Sequence, residues 1–426
     1  MKMKKSILIL LVITTTISGQ TVLDIIKDNP RMAASNYYNY PFPNKDQTPP
    51  PPGKRPFYIS HYGRHGSRFL DNRKGYDIPY NYLAKGDSAG VLTPLGKDVL
   101  NKMRTIIAGA EGYWGTLSNL GQIQHREIVR RMVERFPEVF EGNSVIDAHS
   151  TTVNRCIVSM AAAMTQFVAM NPKLAIKMNA SEHDMYYMNF QDKQLRDSMM
   201  TVRATKAYND YIRPIKRNPR LTRLLFTDTA YIRKNVSDYW LPYYLLKTGL
   251  MQQNTTGRGG PIVDLFTPEE IYHYWQLENA WWYINYGPSL LNGGCQPYTQ
   301  RNLLRRIIQD ADSCIRMAKP GATLRYGHET VLLPLVCLMD INGYGFQTMD
   351  LNEVEPNGWW SCNVFPMAAN LQIIFYRENL DDKDILLKVL LNEIEVSLPF
   401  YTDYPPYYRW SDFREYYLKK LDKYGR

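Results

Sequence analysis

Three short stretches of this chain gather the residue types that can hold and break a phosphate ester. Arg64-His65-Gly66-Ser67-Arg68 follows an apolar and aromatic run, Phe57-Tyr58-Ile59-Ser60-His61-Tyr62. Ser150-Thr151-Thr152-Val153-Asn154-Arg155 follows a second short run, Val145 to Ala148, and Gly327-His328-Glu329-Thr330 follows a third, Thr323 to Tyr326. Each has the form of a strand end opening toward a helix, the place where open α/β sheets bind ligands and where free helix N–H groups face anions. If the three strands are neighbours, two histidines, three arginines and one carboxylate converge. Guanidinium forks would bind the phosphate oxygens, a histidine would attack phosphorus, and the acid would protonate the departing oxygen.

The surrounding pattern predicts the elements that must position these groups. Pro49 to Pro52, with Gly53 and Pro56, is stiff and extended. Thr93-Pro94 starts a helix through Leu95, Val99, Leu100, Met103 and Ile107, and Ser118-Asn119-Leu120-Gly121 starts another that Pro137 must end. Ser150 or Thr151 is positioned to cap the helix carrying Cys156, Met160 and Met164. Between 171 and 319 no alternating strand pattern stands out, and Thr267-Pro268-Glu269-Glu270 reads as a capping box ahead of an aromatic helix with Trp275, Trp281 and Trp282. Leu371 to Tyr376 and Ile385 to Leu391 read as a strand pair joined by an acidic turn. The expected architecture is α/β, one core made from both ends of the chain with a mostly helical domain inserted. Its expected divisions are an extended segment over 21–56, core over 57–170 and 320–426, and the insertion over 171–319.

The 426 residues are 44% hydrophobic and 22% charged, which supplies a core and excludes a disordered tail or a collagen-like fibre. Residues 1–20 have the layout of a secretory signal peptide: Lys2, Lys4 and Lys5, then the apolar run Ile7 to Ile13, then small and polar residues. That predicts a secreted or periplasmic protein without stable membrane insertion. Five cysteines make an odd count; Cys295 and Cys314 are the first pair to consider for a disulfide, and Cys156 and Cys337 read as buried thiols. The whole chain carries a net charge of +10, and between Lys193 and Lys234 eleven Lys/Arg face three acids. Such a segment could cover the site and draw in a polyphosphorylated small molecule, and Arg73 and Lys74 could grip further phosphates. No nucleic-acid motif accompanies the charge, Glu182-His183-Asp184 is too contiguous to converge on a metal ion, and His61 reads equally as a site neighbour and as a strand histidine.

Arg64-His65-Gly66-Ser67-Arg68 matches the RHGxR signature of the histidine acid phosphatases, and Gly327-His328-Glu329-Thr330 lies where that family has its HD motif. The Thr93-Pro94-Leu95-Gly96 helix start and the serine-plus-Arg155 junction also resemble it. The run Val331-Leu332-Leu333-Pro334-Leu335, the length and the leader resemble the branch of phytases and multiple inositol polyphosphate phosphatases. The resemblance implies a histidine-phosphatase (phosphoglycerate-mutase-like) Rossmann-type core with an inserted helical domain, and a secreted phosphomonoesterase of phytate-like inositol polyphosphates. It implies His65 as the nucleophile forming a phosphohistidine, Glu329 as general acid, and Arg64, Arg68, Arg155 and His328 as phosphate ligands, with neither metal nor cofactor. One departure stands out. The acid-phosphatase branch has Asp directly after the motif histidine and the inositol polyphosphate branch often reads His-Ala-Glu, whereas this chain has Glu329 at the first position and Thr330 at the second. Two alternatives remain in view: a general acid phosphatase for sugar phosphates or nucleotides, and a non-catalytic binder of phosphorylated ligands. No feature of the sequence sets an oligomeric state.

Overall fold

The proline run holds the chain extended up to Arg55, where β1 (Arg55–Arg64) begins. The computed structural model describes residues 20–43, 45–189, 192–256 and 260–424; the leader segment lies outside them save for Gln20. Seven further strands are β2 (Val145–Ser150), β3 (Ala175–Asn179), β4 (Gly321–Gly327), β5 (Asn370–Arg377), β6 (Leu386–Leu391), β7 (Ile394–Glu395) and β8 (Tyr407–Arg409). They form one mixed sheet in the order β3-β2-β4-β1-β5-β6-β7, with β8 also on β6. The β3, β2, β4 and β1 strands run parallel, and β5 and β6 are antiparallel to their neighbours. Register decides the function: Arg64 pairs with Gly327 and Ser150 with Tyr326, so all three chemical stretches leave adjacent strands at the same edge.

Strand alternation splits the core. Tyr58, Tyr62, Leu371, Ile373 and Phe375 face one layer, with helices Arg301–Cys314, Glu329–Met339 and Trp410–Lys423. Ile59, Ile374 and Tyr376 face the other, with helices Asn119–Arg135 and Asn154–Met170. A third cluster forms the helical lobe, in which Lys74–Ser88 and Pro94–Ala110 pack with Trp240–Met251 and Pro268–Tyr286. No helix among the described residues is long and apolar enough to cross a membrane.

Several expectations require correction. The 21–56 stretch is not extended throughout: Thr21 and Asp24 form a reciprocal capping box on the helix Val22–Asp28, and a 3-10 segment covers Pro30–Tyr37. The region read as strandless holds β3, a short edge strand exposed along nearly its whole length, so it has no buried face to set an alternating pattern. Neither Ser150 nor Thr151 caps the next helix, which begins after Val153 without a side-chain cap. All five cysteines are free thiols, so Cys295 and Cys314 form no disulfide, while Cys156 and Cys337 are buried as expected. The Thr93, Ser118 and Thr267 caps are all formed, the last as a complete capping box.

Candidate active site

Backbone hydrogen bonds lock the three stretches together. The His65 amide donates to the Gly327 carbonyl at 2.9 Å, the Thr151 amide to Tyr326 at 3.0 Å, and the Arg64 amide to Ala369 at 2.7 Å. The loop after β1 then presses against the helix Asn119–Arg135. A side chain at Gly66 would stand 2.4 Å from the Gly121 carbonyl oxygen, and one at Gly121 would stand 2.3 Å from that of Ser67, so neither position admits a Cβ. Ser118 donates to the Ser67 carbonyl, Gln124 accepts from the Ser67 amide at 2.8 Å, and the Gly66 amide donates to Ser159 at 3.1 Å. The Ser67 hydroxyl reaches Asn254 at 2.8 Å, tying the loop to the helical lobe.

Held this way, His65 is wholly buried, and its Nδ1 lies 3.0 Å from the Gly66 carbonyl. A carbonyl only accepts, so Nδ1 carries the proton and Nε2 keeps its lone pair. Nε2 has no hydrogen-bond partner and stands 3.5 Å from Glu329 Oε2. Burial, more than the flanking arginines, holds the His65 imidazole well below its usual titration range; Arg64 and Arg68 add to the effect and Glu329 opposes it.

Around that nitrogen sit the cations. Arg64 is fully buried, contacts Glu329 Oε2 at 3.0 Å through Nε and donates from Nη1 to the Phe365 carbonyl at 2.6 Å; its Nη2 has no partner. Arg68 donates to the Tyr37 hydroxyl at 3.2 Å, pairs with Asp71 at 2.9 Å and reaches Glu329 at 3.9 Å, leaving its Nε unpartnered. Arg155, in the first turn of its helix, has a buried unpartnered Nε, and its charge helps depress the imidazole of His328. His328 is pushed down to about 4, chiefly by burial, and its Nε2 meets the Thr151 hydroxyl at 3.3 Å. Its ring centroid lies 5.8 Å from that of His65. Burial pushes the Glu329 carboxyl up, but the Arg64 and Arg68 guanidiniums overcome that and hold it well below the ordinary carboxylate range.

The structure therefore brings His65, Glu329, Arg64, Arg68 and His328 together, with Arg155 beside His328. It leaves Arg73 and Lys74 apart: Arg73 is exposed and tied to Asp77 at 3.2 Å and Glu111 at 3.5 Å, and Lys74 is exposed at a helix start. His61 is buried among His125 and Tyr326 instead of lining the cluster. Of the basic segment, Lys193, Lys206, Arg213, Arg217 and Arg220 are paired with Asp197, Asp210, Asp210, Asp238 and Glu270. In the Glu182-His183-Asp184 turn, Asp184 pairs with His149 at 2.9 Å and His183 at 3.2 Å. His65, His328 and Glu329 offer ligand atoms within 4.8 Å of one another, the only such group among the described residues. Two buried guanidiniums at the same carboxylate repel a cation and suit an anion instead. Sequence reasoning missed Asn36, which donates to Glu329 at 3.1 Å, and Tyr37. Both come from the 3-10 segment Pro30–Tyr37, whose irregular backbone gives no periodic signal.

Residues 63–392 match the family described as the histidine phosphatase superfamily, branch 2. The fold is similar to that of the Bifidobacterium longum multiple inositol polyphosphate phosphatase in complex with inositol hexasulfate. The TM-score is 0.78 at 16% identity, over 90% of this chain and 97% of that one. It is also similar to the phytase from D. castellii (TM-score 0.67, 14% identity, 92% and 85% coverage). The Hafnia alvei phytase in complex with tartrate superposes with a TM-score of 0.54 at 12% identity, over 87% and 98%. No curated protein sequence matches the chain.

Proposed function

This chain belongs to the histidine phosphatase superfamily, branch 2, and is a phosphoric monoester hydrolase; from that premise we propose that it hydrolyses inositol polyphosphates, with His65 as nucleophile and Glu329 as general acid. The observation that carries the reading is the set of unspent N–H groups on Arg64, Arg68 and Arg155 gathered where the His65 Nε2 lone pair is free. Buried polar groups are ordinarily satisfied, so orphaned donors on three cations describe a preorganised anion cradle. The likeness to a phosphatase holding inositol hexasulfate and to phytases supports the substrate class.

In the first step Nε2 bonds to phosphorus as the P–O bond to the alcohol breaks, and the alkoxide takes the Glu329 proton. In the second, water attacks the phosphohistidine, its proton returns to Glu329, and orthophosphate leaves. Arg64, Arg68, Arg155 and His328 bind the equatorial oxygens through both steps. The free site holds Glu329 ionised, so its proton must arrive with the substrate. A bound phosphate engages the same guanidiniums that stabilise the carboxylate, which weakens their hold and raises its proton affinity. The basic leader-like segment 1–20 supports export as part of this reading. The test is orthophosphate release from inositol hexakisphosphate, beside His65→Ala and with a chelator present. Release that His65→Ala abolishes and the chelator leaves intact is expected; an enzyme that cleaves nitrophenyl phosphate but not the hexakisphosphate overturns the substrate assignment.

A further inference from the structure

The helix Trp240–Met251 carries Trp240, Tyr243, Tyr244 and Lys247 at spacings that put them on one stripe. The stripe begins at exposed Trp240 and descends to partly buried Lys247. The Lys247 ammonium stands 5.6 Å from the ring centroid of Tyr37 and 5.5 Å from that of Tyr243. Tyr37 is the same ring that lies 5.0 Å from the Arg68 guanidinium carbon, and its hydroxyl accepts from Arg68. One tyrosine thus separates a cation of the phosphate cradle from a second cation outside every motif.

An ammonium has three N–H donors to satisfy. Among the described residues Lys247 makes no hydrogen bond or ion pair. The nearby carboxylates are engaged elsewhere: Asp71 holds Arg68 and the Tyr37 hydroxyl, and Glu278 accepts from the Tyr243 hydroxyl. Burial disfavours the Lys247 ammonium, but the field of Glu278, Tyr37, Tyr244 and Asp71 outweighs it and raises its proton affinity. Aromatic faces hold such a charge in place but leave its donors unspent.

We infer that Lys247 binds a second phosphate of the substrate while the reacting phosphate lies among His65, Arg64 and Arg68. This rests on the polyphosphate reading above. A simple monoester has no group that reaches Lys247, so the residue contributes to specificity and not to the bond-breaking step. Neither motif nor charge run marks it; only the fold carries the helix to Tyr37.

The experiment compares wild type, Lys247→Met and Lys247→Arg on inositol hexakisphosphate and nitrophenyl phosphate, with melting temperatures as a control for folding. For Lys247→Met, kcat/KM on the hexakisphosphate should fall roughly tenfold, carried by KM, as fits the loss of one charge-assisted contact. The fall on nitrophenyl phosphate should stay below about twofold, and Lys247→Arg should restore most of the hexakisphosphate value. Equal losses on both substrates, or no loss on either, overturn the inference and leave the substrate class standing. A wild type without turnover of the hexakisphosphate removes the substrate class and the inference together.

Discussion

Arginine does opposite things in two parts of this molecule. At the ends of β1 and β2, Arg64, Arg68 and Arg155 are buried in whole or in part and keep N–H groups without partners. Between Lys193 and Asn235, Arg213 and Arg217 in the loop after Val202–Ile212 and Arg220 in the helix Pro219–Leu225 lie exposed and are closed onto carboxylates. The second region holds more cations, yet the first has the greater capacity for work. A cation under water is already solvated and screened, whereas one held dry with spare donors has stabilisation left to give an incoming anion. The longest basic run in the sequence therefore points away from the cluster, and strand register points to it.

The sharpest way to break this contrast is to remove the same residue type from each region. Arg155→Ala should cost about 10²–10³-fold in kcat/KM, the range for one preorganised donor at a developing charge, with the melting temperature near that of wild type. A loss below about fivefold on every phosphate ester would erase the distinction between the regions.

Acid tests what dry burial costs. His61 and His125 are buried, pushed by burial down to about 3, and have no part in the cradle. In the unfolded chain they titrate near the ordinary histidine range, so between those limits the unfolded state binds more protons. Their contribution to stability is complete above about pH 6.5 and drains away as pH falls toward 3. Lowering pH from 7 to 5 should remove roughly 2–4 kcal/mol through this pair. Thermal unfolding at both pH values checks it, and a His61→Gln, His125→Gln double variant should show a flatter dependence. An unchanged slope would mean that neither histidine is held neutral by the fold.

A purely steric prediction separates positioning from charge. Gly121→Ala drives a Cβ into the backbone of Ser67, which cannot retreat without moving the His65 loop. Destabilisation of about 1–3 kcal/mol is expected, with kcat reduced on all substrates alike, since the proposed nucleophile His65 itself shifts. A variant with wild-type melting and kcat would show that the loop is held by its hydrogen bonds alone.

Much of the candidate site was legible because phosphate chemistry demands residue types that rarely sit at strand ends by chance. His65, Arg64, Arg68, His328 and Glu329 could be read from three stretches, and the caps at Thr93, Ser118 and Thr267 were readable from local rules. What stayed hidden depends on packing. Asn36 and Tyr37 reach the cluster from an irregular turn nearly 30 residues ahead of His65, and β3 is a strand only because β2 offers it an edge. The two helix starts of the form Thr/Ser-x-Leu-Gly read as punctuation, yet their glycines are where helix meets backbone: Gly121 on Ser67 and Gly96 on the Leu225 carbonyl. The arginines named by the motifs lower the His65 titration, but burial leads, an effect that depends on three-dimensional enclosure.

The smallest effect belongs to the basic segment, and it completes the contrast. Arg220 closes on Glu270 and also donates to the Leu265 carbonyl at 2.7 Å, the best-anchored of the exposed pairs. Even so, its side chain is 42% exposed, where water competes for both partners and salt screens them. Arg220→Ala should change stability by less than about 1 kcal/mol. Its kcat/KM should stay within roughly twofold of wild type at moderate salt. If instead this variant lost as much hexakisphosphate turnover as Arg155→Ala, the exposed cations would be holding substrate directly, and pairing with a carboxylate would no longer distinguish a solvated arginine from a working one.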